Sequence, residues 1–194
     1  NLPQGAKVGT SSLRRRAQLL AQRPDLEIVS LRGNVNTRLQ KLEDEDFDAI
    51  ILAVAGLKRL GFGERITEVL DKSVCLPAVG QGALAIEARA DDAEMIARLV
   101  FLDDAAMRAA ARAERAFLAR VEGGCQVPVG VYATAEGTTL AIEAVIASLD
   151  GARLYRSSRT GSASEAEALG RGLAEELLAA GGEAILQELG LLQD

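Results

Sequence analysis

Two kinds of side chain in this sequence could do chemistry: a pair of cysteines, and a run of arginines near the amino end. Cys125 lies in Glu122-Gly123-Gly124-Cys125-Gln126-Val127-Pro128, where two glycines end a helix and let the backbone turn sharply, so its thiol projects from a loop. Such a thiol is either a small apolar filler beneath the loop or a nucleophile. The chain has no histidine, which excludes Cys–His and Ser–His pairs and His-ligated metals within it. A hydrolytic thiol would lack its base, whereas a cysteine used as a permanent attachment point needs none. Cys75, beside Leu76 and Pro77, reads as buried filler. The two contexts differ too much for a structural disulfide, and a reducing cytoplasm fits best.

The net charge of -6 is unevenly spread. Residues 1–41 hold Lys7, Arg14, Arg15, Arg16, Arg23, Arg32, Arg38 and Lys41 against only Asp25 and Glu27, so the remainder is strongly acidic. A basic segment on an acidic chain points to a local anion site rather than to nucleic acid. For any single arginine, a solvated helix face is the simpler reading. Three clusters in step with a strand–helix rhythm fit that reading less well. They are Thr10, Ser11, Ser12, Arg14 and Arg15; then Arg32, Gly33, Asn34 and Arg38; then Lys58 and Arg59. A nucleotide would bring a glycine-rich loop of the dinucleotide or Walker type, and neither pattern is present. Guanidinium groups bind carboxylates and phosphates through paired hydrogen bonds, and several separate arginine sites suit a ligand with several separated carboxylates.

The elements that must position these groups follow from periodicity. Ala6–Gly9, Leu26–Leu31 and Phe47–Val54 read as strands, and the third is almost continuously apolar, as in a sheet covered on both faces. Helices start at Leu13, behind the hydroxyls of Thr10, Ser11 and Ser12, then at Val35 and at Leu57. This alternation predicts a parallel α/β sheet, which binds ligands outside the carboxyl ends of its strands. All three arginine clusters fall at such ends. Residues 77–102 read as a turn-rich crossing segment, with a strand at Leu84–Arg89 and a helix at Glu94–Leu102. From Asp103 a small α+β unit is expected. An Ala-rich helix runs from Ala105 to Val121, followed by strands at Val127–Thr134, Thr139–Ser148 and Ala152–Ser158 and helices at Ser164–Ala180 and Glu183–Leu189. No apolar run is long enough to span a bilayer, and the start shows no signal character.

Five ordered blocks resemble the porphobilinogen deaminase (hydroxymethylbilane synthase) family. They are Gly9-Thr10-Ser11-Ser12-Leu13-Arg14-Arg15, Leu31-Arg32-Gly33-Asn34-Val35 through Thr37-Arg38-Leu39, and Ala53-Val54-Ala55-Gly56-Leu57-Lys58-Arg59-Leu60-Gly61. Leu76-Pro77-Ala78-Val79-Gly80-Gln81-Gly82 follows, then Ala113-Glu114-Arg115 through the Cys125 loop. Arg16 and Asn36 depart from the usual pattern; the last 60 residues match in layout more than in motif. The resemblance implies a cytoplasmic, monomeric, three-domain transferase of heme and tetrapyrrole biosynthesis. Such an enzyme joins four porphobilinogen molecules head to tail with loss of ammonia, growing the oligopyrrole on a dipyrromethane cofactor held by a thioether. Cys125 matches the attachment cysteine. Arg14, Arg15, Arg32 and Arg38 match residues binding cofactor and substrate carboxylates, with Arg59 assisting. Thr10, Ser12, Gly33, Asn34 and Ala53 match the cleft lining, and Gln81 its hinge.

The implied division is an α/β domain at 1–76 (periplasmic-binding-protein type II-like), a crossing segment at 77–102 returning to an N-terminal domain, and a cofactor-bearing α+β domain at 103–194 with a three-stranded antiparallel sheet. The family's catalytic aspartate belongs to that N-terminal domain. This sequence, which begins at Asn1 without Met, is expected to lack most of it and to be inactive alone. The rival reading is a non-enzymatic small-anion-binding α/β module.

Overall fold

Strand β1, Lys7–Gly9, lies at the centre of a parallel sheet between β2, Glu27–Val29, and β3, Ala49–Ile50. Val8 is in register with Ile28 on one side and Ala49 on the other. The computed structural model describes residues 2–121 and 127–190. The strands are shorter than the apolar runs suggest, because each chain leaves the ladder to start a helix. The hydrogen bonds persist slightly further, with the Ile51 N–H donating to the Gly9 carbonyl at 3.0 Å and the Thr10 N–H to that of Val29 at 2.9 Å.

Helix α1, Leu13–Gln22, begins at Ser12, whose hydroxyl accepts from the Arg15 N–H at 3.4 Å. Helix α2, Val35–Asp44, begins at Asn34, whose side-chain oxygen accepts from the Thr37 N–H at 2.8 Å. Helix α3, Val54–Arg59, starts at Ala53 with no side-chain cap. The apolar centre of this unit is small, built on Ala6, Val8 and Leu26.

Residues 84–89 do not form the expected strand. A strand needs a neighbour for its N–H and C=O groups, and none of the described strands pairs with this segment. Leu84 is 91% exposed and Ile86 55%. Helix α4 covers Ala93–Leu99 and tightens into a 3-10 turn at Val100–Leu102. Phe101 and Met107 also face solvent, so large exposed apolar side chains concentrate between residues 84 and 107.

The C-terminal unit follows the expected plan. Helix α5, Ala105–Arg120, packs with α6, Ala166–Leu177, on an antiparallel sheet of β4, Val129–Glu136, β5, Thr139–Ala147, and β6, Leu154–Ser162, in the order β4-β5-β6. Helix α7, Glu183–Glu188, follows a kink at Gly181. Phe117, Leu140, Ile142, Ile146, Leu173 and Leu186 are essentially inaccessible and form the main core. No helix among the described residues is long and apolar enough to cross a membrane.

Candidate anion site at the strand ends

Because β1, β2 and β3 are parallel, their carboxyl ends lie on one edge of the sheet, and the segments that follow them share a rim. The three junctions expected to carry the site are therefore neighbours. Thr10 is buried, and its hydroxyl accepts from the Ser12 N–H at 3.2 Å, which sets the turn into α1. Arg15 links the first junction to the third: its guanidinium donates to the Ile51 carbonyl at 2.9 Å. In the second junction Gly33 has φ 123°, and a Cβ there would lie 2.8 Å from the Thr37 side chain. Only glycine fits this position. Asn34 caps α2, and Arg38 folds back so that its Nε donates to the Gly33 carbonyl at 2.8 Å. Arg32 and Ala53 are exposed on the rim, and Arg59 is exposed in the last turn of α3.

Arg14 points elsewhere. Its side chain is buried, and its guanidinium donates to the Leu76 carbonyl and, at 3.2 Å, to Gln81 Oε1, with the Cys75 sulfur 3.7 Å away. Gln81, expected at a hinge, is thus tied to the rim through Arg14. Burial holds the Arg14 guanidinium below its ordinary value, against a smaller opposing effect of Cys75. Burial also lowers Arg15, followed by the like charges of Arg14 and Arg38. Arg15 therefore lies close enough to both Arg14 and Arg38 to feel their like charge. Arginine remains charged under such pressure, so the repulsion stands as a demand for an anion.

The ion pairs sharpen that demand. Arg65, Arg98, Arg112, Arg120, Arg153, Arg156 and Arg159 each meet a glutamate within 4 Å. Among the described residues, no carboxylate pairs with Arg14, Arg15, Arg32, Arg38 or Arg59. Arg15, Arg32 and Arg38 are thus cations beside the strand ends without a carboxylate partner among the described residues, while Arg14 turns inward and Arg59 stands at the far end of α3. Cys125 lies outside the described residues. Cys75 is half-buried, and burial raises its thiol above the ordinary value despite the opposing charges of Arg14 and Arg15, which suits a filler rather than a nucleophile.

Two family models divide the chain: porphobilinogen deaminase, dipyromethane cofactor binding domain, over residues 1–97, and porphobilinogen deaminase, C-terminal domain, over residues 108–179. The chain belongs to the porphobilinogen deaminase family. The porphobilinogen deaminase of Roseiflexus castenholzii is 59% identical over 186 residues, covering 96% of this chain and 61% of the relative. That of Trichlorobacter lovleyi is 54% identical over 188 residues, and that of Carboxydothermus hydrogenoformans 53% over 188, each covering 97% of this chain and 60% of the relative. The chain thus spans about three-fifths of the length of these porphobilinogen deaminases. All three arginine junctions fall inside the cofactor-binding domain of the family, and their unpaired guanidiniums fit a cofactor bearing carboxylates.

The sequence reading missed the roles of two buried polar residues, passing over Gln18 and naming Glu114 only within a motif block. Gln18 is 2% exposed and Glu114 is 6% exposed. Each interrupts a buried helical stripe: Gln18 follows Arg14 by one turn beside Ala17, and Glu114 sits among Ala110, Ala113 and Phe117. A polar residue in an apolar stripe was the available signal.

Proposed function

We propose that this chain is the cofactor-bearing part of a hydroxymethylbilane synthase, which joins four porphobilinogens head to tail and releases ammonia at each step. The carrying observation is the group of arginines without carboxylate partners, gathered at parallel strand ends inside a dipyrromethane-cofactor domain. Arg15, Arg32 and Arg38 would hold acetate and propionate groups of cofactor and growing chain by charge-assisted hydrogen bonds. Arg14 would add charge from beneath, and Arg59 at the outer edge. Thr10, Ser12, Gly33, Asn34 and Ala53 would line the cleft, with Gln81 at its hinge. The cofactor, attached through Cys125, supplies the pyrrole carbon from which the product grows. A carboxylate beside the reacting pyrrole nitrogen would stabilise its developing positive charge. We assign that group to an N-terminal domain of the family and none of the acids in this chain to the role, so the chain alone would be inactive.

The same reading makes residues 1–76 an α/β domain of the periplasmic-binding-protein type II kind, supported by its ligand-side strand ends. Residues 77–102 form a crossing segment whose exposed apolar side chains meet that N-terminal domain, and residues 103–194 carry the cofactor cysteine. The whole enzyme would be a cytoplasmic monomer.

Intact mass after denaturation tests the reading, using a protein that spans the full family length. The expected increment on Cys125 is two porphobilinogens less two ammonias, absent in Cys125→Ser. An unmodified thiol in an active enzyme, or in a protein that merely binds anions, would sink it.

A further inference from the structure

Residues 75–81 run from the α/β unit to the C-terminal unit, and three buried polar side chains hold them. On one side Gln18 forks Leu76: its Oε1 accepts the Leu76 N–H at 2.7 Å, and its Nε2 donates to the Leu76 carbonyl at 3.2 Å. A side-chain amide here makes the two bonds that a neighbouring strand would make. The same Nε2 lies 3.2 Å from the Arg14 carbonyl, one helical turn back. Arg14 rests its guanidinium on the same Leu76 carbonyl. On the other side the Val131 N–H donates to the Pro77 carbonyl at 3.0 Å. A Cβ on Gly130 would stand 2.9 Å from Leu76, so the strap lies directly against β4. Glu114 then clamps it, accepting from the Gly80 N–H at 2.6 Å and, within β4, from the Ala133 N–H at 2.8 Å.

We infer that Gln18 is a positioning residue of the anion site, fixing the Leu76 carbonyl on which the Arg14 guanidinium is seated. The Leu76 N–H and carbonyl belong to the two peptide groups that flank its Cα, and by holding both Gln18 fixes the soft φ and ψ between them. Leu76 is fully buried. Without Gln18 both bonds are lost, the buried Leu76 N–H has no solvent to turn to, and rotation about φ and ψ to find it a partner displaces the carbonyl on which Arg14 sits. Arg14 is also the neighbour of Arg15 in sequence and, after burial, the main like charge acting on it. Gln18 itself touches no ligand. The inference rests on reading the rim as a carboxylate site for the oligopyrrole.

The test is a double-mutant cycle in the full-length holoenzyme, comparing wild type, Gln18→Met, Arg14→Met and the double variant by KM for porphobilinogen. Displacement of a binding group by an ångström is felt strongly, so each single variant is expected to raise KM by roughly tenfold or more. The double variant should be no worse than Arg14→Met alone, since residues acting through one another do not add. Multiplying effects would show that Gln18 serves stability only and would overturn the inference, leaving the rim reading intact. An unchanged KM in Arg14→Met would overturn both. If Gln18→Met fails to fold, Gln18→Glu keeps the acceptor for the Leu76 N–H and the side-chain size. Its carboxylate loses the donor to the Leu76 carbonyl at neutral pH and regains it on protonation. The KM ratio to wild type should therefore fall towards one as the pH is lowered, and a flat ratio would refute the role.

Discussion

Glu114 shows how a single buried carboxylate can be both needed and disfavoured. Both oxygens are used, one on Gly80 and one on Ala133, and these bonds favour the charged form. Burial acts in the other direction and is the larger effect, so the pKa is raised above the ordinary value of 4.5. A carboxyl group with a raised folded-state pKa contributes stability that is fully present below the unfolded pKa and is lost as pH rises through the folded pKa. Glu114→Gln keeps the shape but offers one oxygen for two N–H donors, and a buried donor left unpaired costs about 1–3 kcal/mol. We expect the variant to melt lower, with the gap to wild type widest in acid and narrowing as the pH climbs above the carboxylate range. Melting temperature against pH for both proteins checks this, and a gap that widened with pH would refute it. The exposed acids run oppositely: hydrogen bonding to Arg153 lowers Glu188, whose contribution is lost as pH falls.

At the scale of elements, the sequence was most legible where one residue type allows one geometry. The hydroxyls at Thr10, Ser11 and Ser12 marked the start of α1, and the strand spacing left room for two tight hairpins, where Gly137 and Gly151 take φ 57° and 73°. The common edge of the three junctions was also legible, because parallel strands bring their carboxyl ends together, but Lys58 and Arg59, read as opening a helix at Leu57, lie instead in the last turn of α3, which starts at Val54. Leu84–Arg89 misled because alternation says nothing about whether a partner strand is present. The inward turn of Arg14 was hidden too, since its partners Leu76 and Gln81 are more than sixty residues away. Gly170 tests the packing of the elements themselves. A Cβ there would sit 2.1 Å from the Ala113 carbonyl oxygen, so α6 crosses α5 at backbone contact. Alanine improves helix propensity by about 1 kcal/mol, yet forcing the helices apart costs about 1–3 kcal/mol or more. Because the obstacle is backbone, we expect Gly170→Ala to lower the melting temperature; a rise would show that the crossing is loose.

Across the whole molecule, charge is sorted by location. Most cations of the C-terminal unit lie on exposed surfaces against acids, as Arg112 does with Glu167 and Arg153 with Glu188, and such pairs are worth about 0–1 kcal/mol each. Among the first 41 residues the described ion pairs are Arg23–Asp25 and Lys41–Glu45, and Arg14, Arg15, Arg32 and Arg38 meet no carboxylate among the described residues. The two populations must respond differently to salt. Screening shortens from about 10 Å at 0.1 M to about 3 Å at 1 M, which weakens attraction between a polycarboxylate and the guanidiniums of exposed Arg32 and half-buried Arg38. The exposed pairs add little to stability, so their screening changes little. In the full-length holoenzyme we therefore expect KM for porphobilinogen to rise several-fold over that salt range while the melting temperature moves by only a few degrees. A KM indifferent to salt would mean that the rim does not recruit its ligand by charge. A large loss of melting temperature alone would mean that these arginines hold the fold rather than a ligand.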